Sequence, residues 1–141
     1  GYDQMITAFG CSMGAMHAAN LFFRCPDLFD AVLALSGVYD STDSFGGYMD
    51  ELVYQNSPCH YIAGMPGDHP YIAMYNERKI FICVGQGAWE DEAKADAWSL
   101  ERDFARLGVP AWVDVWGTDV NHDWPWWLLM FPYHVNKILG Y

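Results

Sequence analysis

The chain has 141 residues, 52% hydrophobic and 17% aromatic, with 7 basic against 18 acidic side chains and a formal charge of −11. That length and apolar content suffice for one globular domain with a real core and exclude a disordered chain. The acidic balance argues against nucleic acid or an anionic membrane surface as partner, and no apolar run approaches the length of a membrane span.

In chain order, the apolar run at 5–9 fits a short buried parallel strand. Gly10-Cys11-Ser12-Met13-Gly14 follows, and 13–24 reads as a helix that Pro26 ends. Residues 31–35 are a second buried strand closed by Ser36-Gly37, and 38–47 is a loop rich in Asp, Ser and Gly. Short helices are expected at 48–55 and 58–63, around the turn signal Asn56-Ser57-Pro58, with a surface loop at 64–70. A third buried strand spans 79–84 and ends at Gly85-Gln86-Gly87. Residues 92–107 have helical composition, stopped by Gly108-Val109-Pro110. A fourth strand at 111–116 alternates enough to lie near an edge, and an aromatic-rich helix at 124–139 closes the chain. Strands alternating with helices predict a parallel α/β sheet with its functional loops along the strand C-terminal edge. Cys11, Cys25, Cys59 and Cys83 show no CxxC pairing. They are expected as buried free thiols in a reducing compartment, which makes the expected location cytoplasmic.

Three loops after strand ends carry reactive side chains. Ser12 sits in Gly-x-Ser-x-Gly between a strand and a helix, where flanking glycines ease a strained turn and the helix N–H groups converge on developing negative charge. The loop 85–91 holds Glu90 and Asp91, and the loop 117–124 holds His122. A serine hydroxyl is a poor nucleophile until an imidazole takes its proton, and the imidazole needs a carboxylate to fix its tautomer. Serine, acid and histidine come in that order. Plainer readings compete: an ordinary glycine turn for Ser12, an ordinary loop histidine for His122, and helix N-terminal acids for Asp91 and Glu92. That last reading makes Glu90 the preferred triad acid with Asp91 as its rival. His17, His60, His69 and His134 are expected to be structural or solvated, without metal spacing. Trp89, Trp124, Trp126 and Trp127 either wall an apolar acyl pocket or hold the loops as core aromatics. Asp40, Asp43 and Tyr48 are candidates to line the cleft.

Over nearly its whole length the chain resembles the putative-esterase (esterase D-like) family of α/β-hydrolases. The resemblance is carried by Gly10-Cys11-Ser12-Met13-Gly14, by Gln55-Asn56-Ser57-Pro58, by residues 85–90, and above all by Asn121-His122-Asp123-Trp124 followed by Trp127. It implies Ser12 as nucleophile, His122 as general base and acid, Glu90 or less readily Asp91 as orienting acid, and the Met13 N–H as one oxyanion-hole donor. It implies an α/β-hydrolase fold acting on a small-molecule ester, with no metal or organic cofactor. The family has several strands before the nucleophile strand, so residues 1–141 correspond to the C-terminal portion of one domain with the N-terminal strands absent. A second chain or another copy would then complete the sheet, or the sequence is a piece of something longer. Three functions follow from these expectations: an esterase working through an acyl-enzyme, an acyltransferase using the same triad, and a non-catalytic binding module that keeps the shape.

Overall fold

The computed structural model describes residues 4–141. Four strands, β1 (Thr7–Cys11), β2 (Ala31–Leu35), β3 (Lys79–Val84) and β4 (Trp112–Val115), form a parallel sheet in the order β1-β2-β3-β4. Helix α1 (Met13–Arg24) links β1 to β2, α5 (Asp91–Leu107) links β3 to β4, and α6 (Trp124–Leu139) follows β4. The connection from β2 to β3 carries a 3-10 turn (Ser41–Phe45), α2 (Glu51–Gln55), α3 (Pro58–Ala63) and α4 (Tyr71–Asn76).

The central strands read as unbroken apolar runs because both faces of the sheet are covered. Val32, Ala34, Ile80, Ile82 and Val84 join the core that Phe22 and Phe23 of α1 share with Ala97, Leu100 and Phe104 of α5. Ala31, Leu33, Leu35, Phe81 and Cys83 turn the other way, onto Trp127, Met130 and Ile138 of α6. This alternation of successive side chains sets a three-layer α/β/α arrangement. It also places the β1–α1, β3–α5 and β4–α6 loops along one edge.

Most expected elements stand. The first strand is displaced by two residues from 5–9, because pairing with β2 runs from Thr7↔Ala31 to Cys11↔Leu35 and so continues through Gly10 and Cys11. Met5 and Ile6 are exposed, so the apolar run did not mark the paired window. The helix expected at 48–55 begins only at Glu51, where the Asp50 carboxylate accepts the Val53 N–H at 2.8 Å. Helix α4 carries no strong start signal; it is fixed by burial of Tyr75, whose hydroxyl donates to the Phe23 carbonyl. All four cysteines are free thiols, although only Cys83 is fully buried. No helix among the described residues is long and apolar enough to cross a membrane.

Candidate active site

Ser12 is the hinge between β1 and α1. Its N–H still belongs to the sheet, donating to the Leu35 carbonyl at 2.9 Å, while its carbonyl already accepts from Ala15 and Met16 of α1. The chain turns in one residue, at φ 57° and ψ −123°, a left-handed conformation that a non-glycine residue adopts only under strain. The two flanking glycines are not equivalent. A Cβ on Gly10 would collide with the Gly14 carbonyl, so Gly10 is what lets the strand pass beside the first turn of α1. A Cβ on Gly14 would meet nothing, which corrects the expectation that both glycines are sterically required. Met13 opens α1 directly after Ser12, so its N–H has no partner within the helix.

Backbone hydrogen bonds lock the β3–α5 and β4–α6 loops together. Gly87 N–H donates to Val120 O at 2.8 Å, Gln86 N–H to Gly117 O at 3.1 Å, and His122 N–H to Ala88 O at 2.9 Å. The Asn121 side-chain oxygen accepts the Ala88 N–H at 2.8 Å. A Cβ on Gly85 would strike the Val120 carbonyl and one on Gly87 the Asn121 side chain, so these glycines allow the close approach. The lock fixes His122 over α1: its Nε2 lies 2.8 Å from the Ser12 hydroxyl oxygen. Its ring meets the Trp127 indole edge-on, centroids 5.0 Å apart.

Behind His122 lies Glu90, fully buried, with Oε2 3.7 Å from His122 Nδ1. Both atoms are buried without another partner, so they are directed at each other and at nothing else. The other carboxylate oxygen, Oε1, accepts the Ser36 hydroxyl at 2.8 Å, and Ser36 in turn accepts the Trp127 indole N–H at 3.0 Å. Burial pushes the Glu90 carboxyl above its ordinary range; the Ser36 hydrogen bond and the nearby His122 pull it back in part. Asp91 stands at the first position of α5, exposed, where the helix end favours a negative charge.

Ser12 and His122 border a cleft of about 1030 Å³ whose walls include Met13, Met16, Val38, Phe45, Leu52 and Trp89. Trp89 stands on a positive φ of 64° and is almost wholly exposed at the rim. Trp127 is buried among the residues under α6, while Trp124 and Trp126 lie outside the cleft lining. Thus Trp89 takes the wall role, Trp127 and the partly buried Trp126 the core role, and the exposed Trp124 neither. Asp40, Asp43 and Tyr48 do not line the cleft; Ser41, Ser44 and Phe45 of the same segment do, because the 3-10 turn reverses the chain there. His17, expected to be structural or solvated, is part of the lining. His60 bonds the Ser57 hydroxyl at 2.7 Å, and His69 accepts the Tyr71 N–H at 3.1 Å. Asn56 of the Gln55-Asn56-Ser57-Pro58 segment reaches the cleft and accepts from Asn20 at 3.0 Å. Sequence reasoning missed Ser36, since a serine after a strand is too common to stand out; Asn121 was quoted within the histidine-loop segment, but its bond to Ala88 was not foreseen.

No family model matches the chain, and no curated protein matches it by sequence. Solved structures do. A ferulic acid esterase superposes with a TM-score of 0.70 at 23% identity, over 92% of this chain and 49% of that one. The fold is that of the α/β-hydrolases. An S-formylglutathione hydrolase of Staphylococcus aureus has this hydrolase fold at a TM-score of 0.68 and 16% identity, over 95% of this chain and 51% of its own. A fluorophosphonate-binding serine hydrolase from the same organism, solved with substrate bound, gives 0.71 and 16%, over 96% and 54%. The chain spans about half the length of these hydrolase structures.

Proposed function

We propose that this chain carries the catalytic triad of a serine esterase, with Ser12 as nucleophile, His122 as general base and acid, and Glu90 as the orienting carboxylate. The observation that carries the reading is the 2.8 Å approach of Ser12 Oγ to His122 Nε2 with a buried, otherwise unpartnered carboxylate oxygen behind His122 Nδ1. Ser12 Oγ attacks the ester carbonyl as His122 Nε2 takes its proton. The Met13 N–H stabilises the oxyanion that forms. Collapse expels the alcohol, which receives the proton from His122, and leaves an acyl-serine. Water then repeats the sequence and frees the acid. Glu90 holds the proton on Nδ1, so that Nε2 presents its lone pair to Ser12, and balances the imidazolium. Asp91, one residue on, belongs to the helix N-terminus in this reading.

Several features support the reading. Structures of the same fold carry the names esterase and serine hydrolase. The cleft beside Ser12 is walled mainly by apolar side chains, with His17, Asn20, Ser41, Ser44 and Asn56 as polar points and the carboxylates of Asp91 and Glu92 on one side, which suits a small ester without negative charge. Four free thiols fit a cytoplasmic enzyme. Residues 1–141 act in this reading as the nucleophile-bearing portion of one hydrolase domain.

The test is labelling of the chain with a fluorophosphonate probe, mapped by peptide mass, alongside hydrolysis of a short p-nitrophenyl ester. Labelling at Ser12, lost in Ser12→Ala together with turnover, is the expected result. Unchanged hydrolysis in Ser12→Ala overturns the assignment. Product analysis with an added alcohol acceptor separates the two enzyme readings: free acid as the main product supports an esterase, a new ester an acyltransferase.

A further inference from the structure

On the α6 face of the sheet, away from Ser12, three potential metal ligands converge from three elements. Cys83 of β3 and Asp114 of β4 are register partners on adjacent strands, so their side chains leave the sheet side by side. His134 of α6 stands over them. The Cys83 sulfur, an Asp114 carboxylate oxygen and a His134 ring nitrogen all lie within 4.8 Å of one another. Cys83 and His134 are completely buried, and Asp114 is part-exposed.

We propose that Cys83, Asp114 and His134 bind a zinc-class divalent cation. The hydrogen bonds around them favour it. His134 Nδ1 lies 2.7 Å from the Met130 carbonyl, which can only accept, so Nδ1 carries a proton. In a neutral ring Nε2 would then carry a lone pair, and it faces Asp114 Oδ2 at 2.9 Å. Two acceptors at that distance repel unless a positive charge sits between them; a second ring proton supplies one such charge and a metal ion supplies another. The Nδ1–H bond to a backbone carbonyl is how ligating histidines are oriented in metal sites generally. The Asp114 carboxylate has its own outer partner, since the Trp116 indole N–H donates to Oδ2 at 2.9 Å. Rings of Phe81, Trp112, Trp116 and Tyr133 surround the buried His134 with centroids 5.0 to 6.1 Å away. Asp114 gives a cation its way in.

Thiolate, imidazole and carboxylate together match zinc better than magnesium or calcium, which prefer all-oxygen sites. Ligand atoms around tetrahedral zinc sit roughly 3.3–3.6 Å apart, between the 2.9 Å His134–Asp114 spacing and the 4.8 Å bound on the set. Binding displaces the thiol proton of Cys83 to solvent, and water completes the fourth position. The triad plays no part in this site, so the proposal stands apart from the esterase reading. A cation there would tie the edge strand β4 to α6, and hence to the loop that carries His122.

The experiment is titration of the full chain with Co(II), followed by displacement with Zn(II). One equivalent of Co(II) should bind with a thiolate-to-metal charge-transfer band that Zn(II) removes. Cys83→Ser should abolish the band while the other three cysteines remain. Trp116→Phe, which keeps all three ligands and an aromatic ring beside His134 but loses the hydrogen bond to Asp114, should weaken binding about tenfold. Absence of the band in the unaltered chain overturns the proposal whatever the variants do, as does a band that survives in folded Cys83→Ser. Folding of that variant is checked by circular dichroism, and Asp114→Asn repeats the test should it fail to fold.

Discussion

The hydroxyl of Ser36 donates to Glu90 Oε1 across 2.8 Å, joining residues 54 positions apart and leaving Oε2 to face His122. Ser36 is itself held by Trp127, so the carboxylate is aimed by a chain that runs from α6 through the end of β2. Ser36→Ala should lower kcat by about tenfold to a hundredfold, matching the roughly 1.5–3 kcal/mol of a hydrogen bond to a charged group. The hydrogen bond holds the Glu90 carboxyl down, so its loss should also move the acidic limb of the kcat profile to higher pH. Trp127→Phe removes one donor and keeps most of the ring; about a fivefold loss is expected, from the roughly 1 kcal/mol of a neutral hydrogen bond. Initial rates on a p-nitrophenyl ester across a pH series check both. A purely structural role would lower folded yield and leave the pH profile in place.

In the proposed triad, Glu90 sets activity and stability against each other. Its carboxyl is raised above 4.5 because burial penalises the charge. A raised acid binds more protons folded than unfolded, so stability falls as pH climbs from the unfolded value through the folded one. Below that window the contribution is intact, and above it the buried charge counts against the fold. Glu90→Gln should therefore unfold at higher denaturant than the unaltered chain at neutral pH and lose that advantage in acid. Its kcat should fall by about 10³–10⁴, because an amide no longer fixes the imidazole tautomer. Urea titrations at two pH values and a rate assay read the two effects separately. Equal stability at both pH values would contradict the burial argument.

The glycines around Ser12 make opposite predictions. Gly10→Ala forces a methyl into the Gly14 carbonyl, backbone against backbone, with nothing flexible to give way. A loss of about 1–3 kcal/mol or more is expected, as for overpacked sites. Gly14 is helical, has open space where its Cβ would go and shows no positive φ. Gly14→Ala should then gain about 0.5–1 kcal/mol from the helix preference for alanine. Urea midpoints of the two variants rank them. Similar losses at both positions would mean that the turn demands glycine for a reason other than space.

How far the sequence revealed the molecule depends on what kind of force sets each feature. Buried strands were legible because residues 31–35 and 80–84 are apolar on both faces. Ser12, Glu90 and His122 stood out as candidates because reactive residue types fell on the loops after three strands, and the structure sets them side by side. The start of β1 was not, because backbone register with β2 decides it and leaves Met5 and Ile6 outside. Ser36 was hidden because its role comes from two partners on distant elements. The grouping of Cys83, Asp114 and His134 was hidden for the same reason, since parallel register and a helix packed across it bring together residues with no local spacing pattern.

Asn121 offers the sharpest check on the coupling of the two loops. Its side-chain oxygen accepts the Ala88 N–H at 2.8 Å, and the next residue, His122, donates its own N–H back to the Ala88 carbonyl at 2.9 Å. Ala88 is thus clasped from both sides by neighbouring residues of the histidine loop, two positions before Glu90. Asn121→Ala leaves the His122 backbone bond and removes only the side-chain acceptor. Ala88 is solvent-accessible enough for water to replace that partner, so stability should drop by only about 1 kcal/mol. The distance between Glu90 and His122 depends on how the loops sit against each other, and small misplacements cost rate far more than stability. The expected kcat loss is therefore about a hundredfold, with KM nearly unchanged because Asn121 is not in the cleft lining. Asn121→Asp keeps an acceptor in place and should recover most of the rate. A variant that loses stability and rate in proportion, or that Asp does not rescue, would show that the loops are held by their backbone bonds alone.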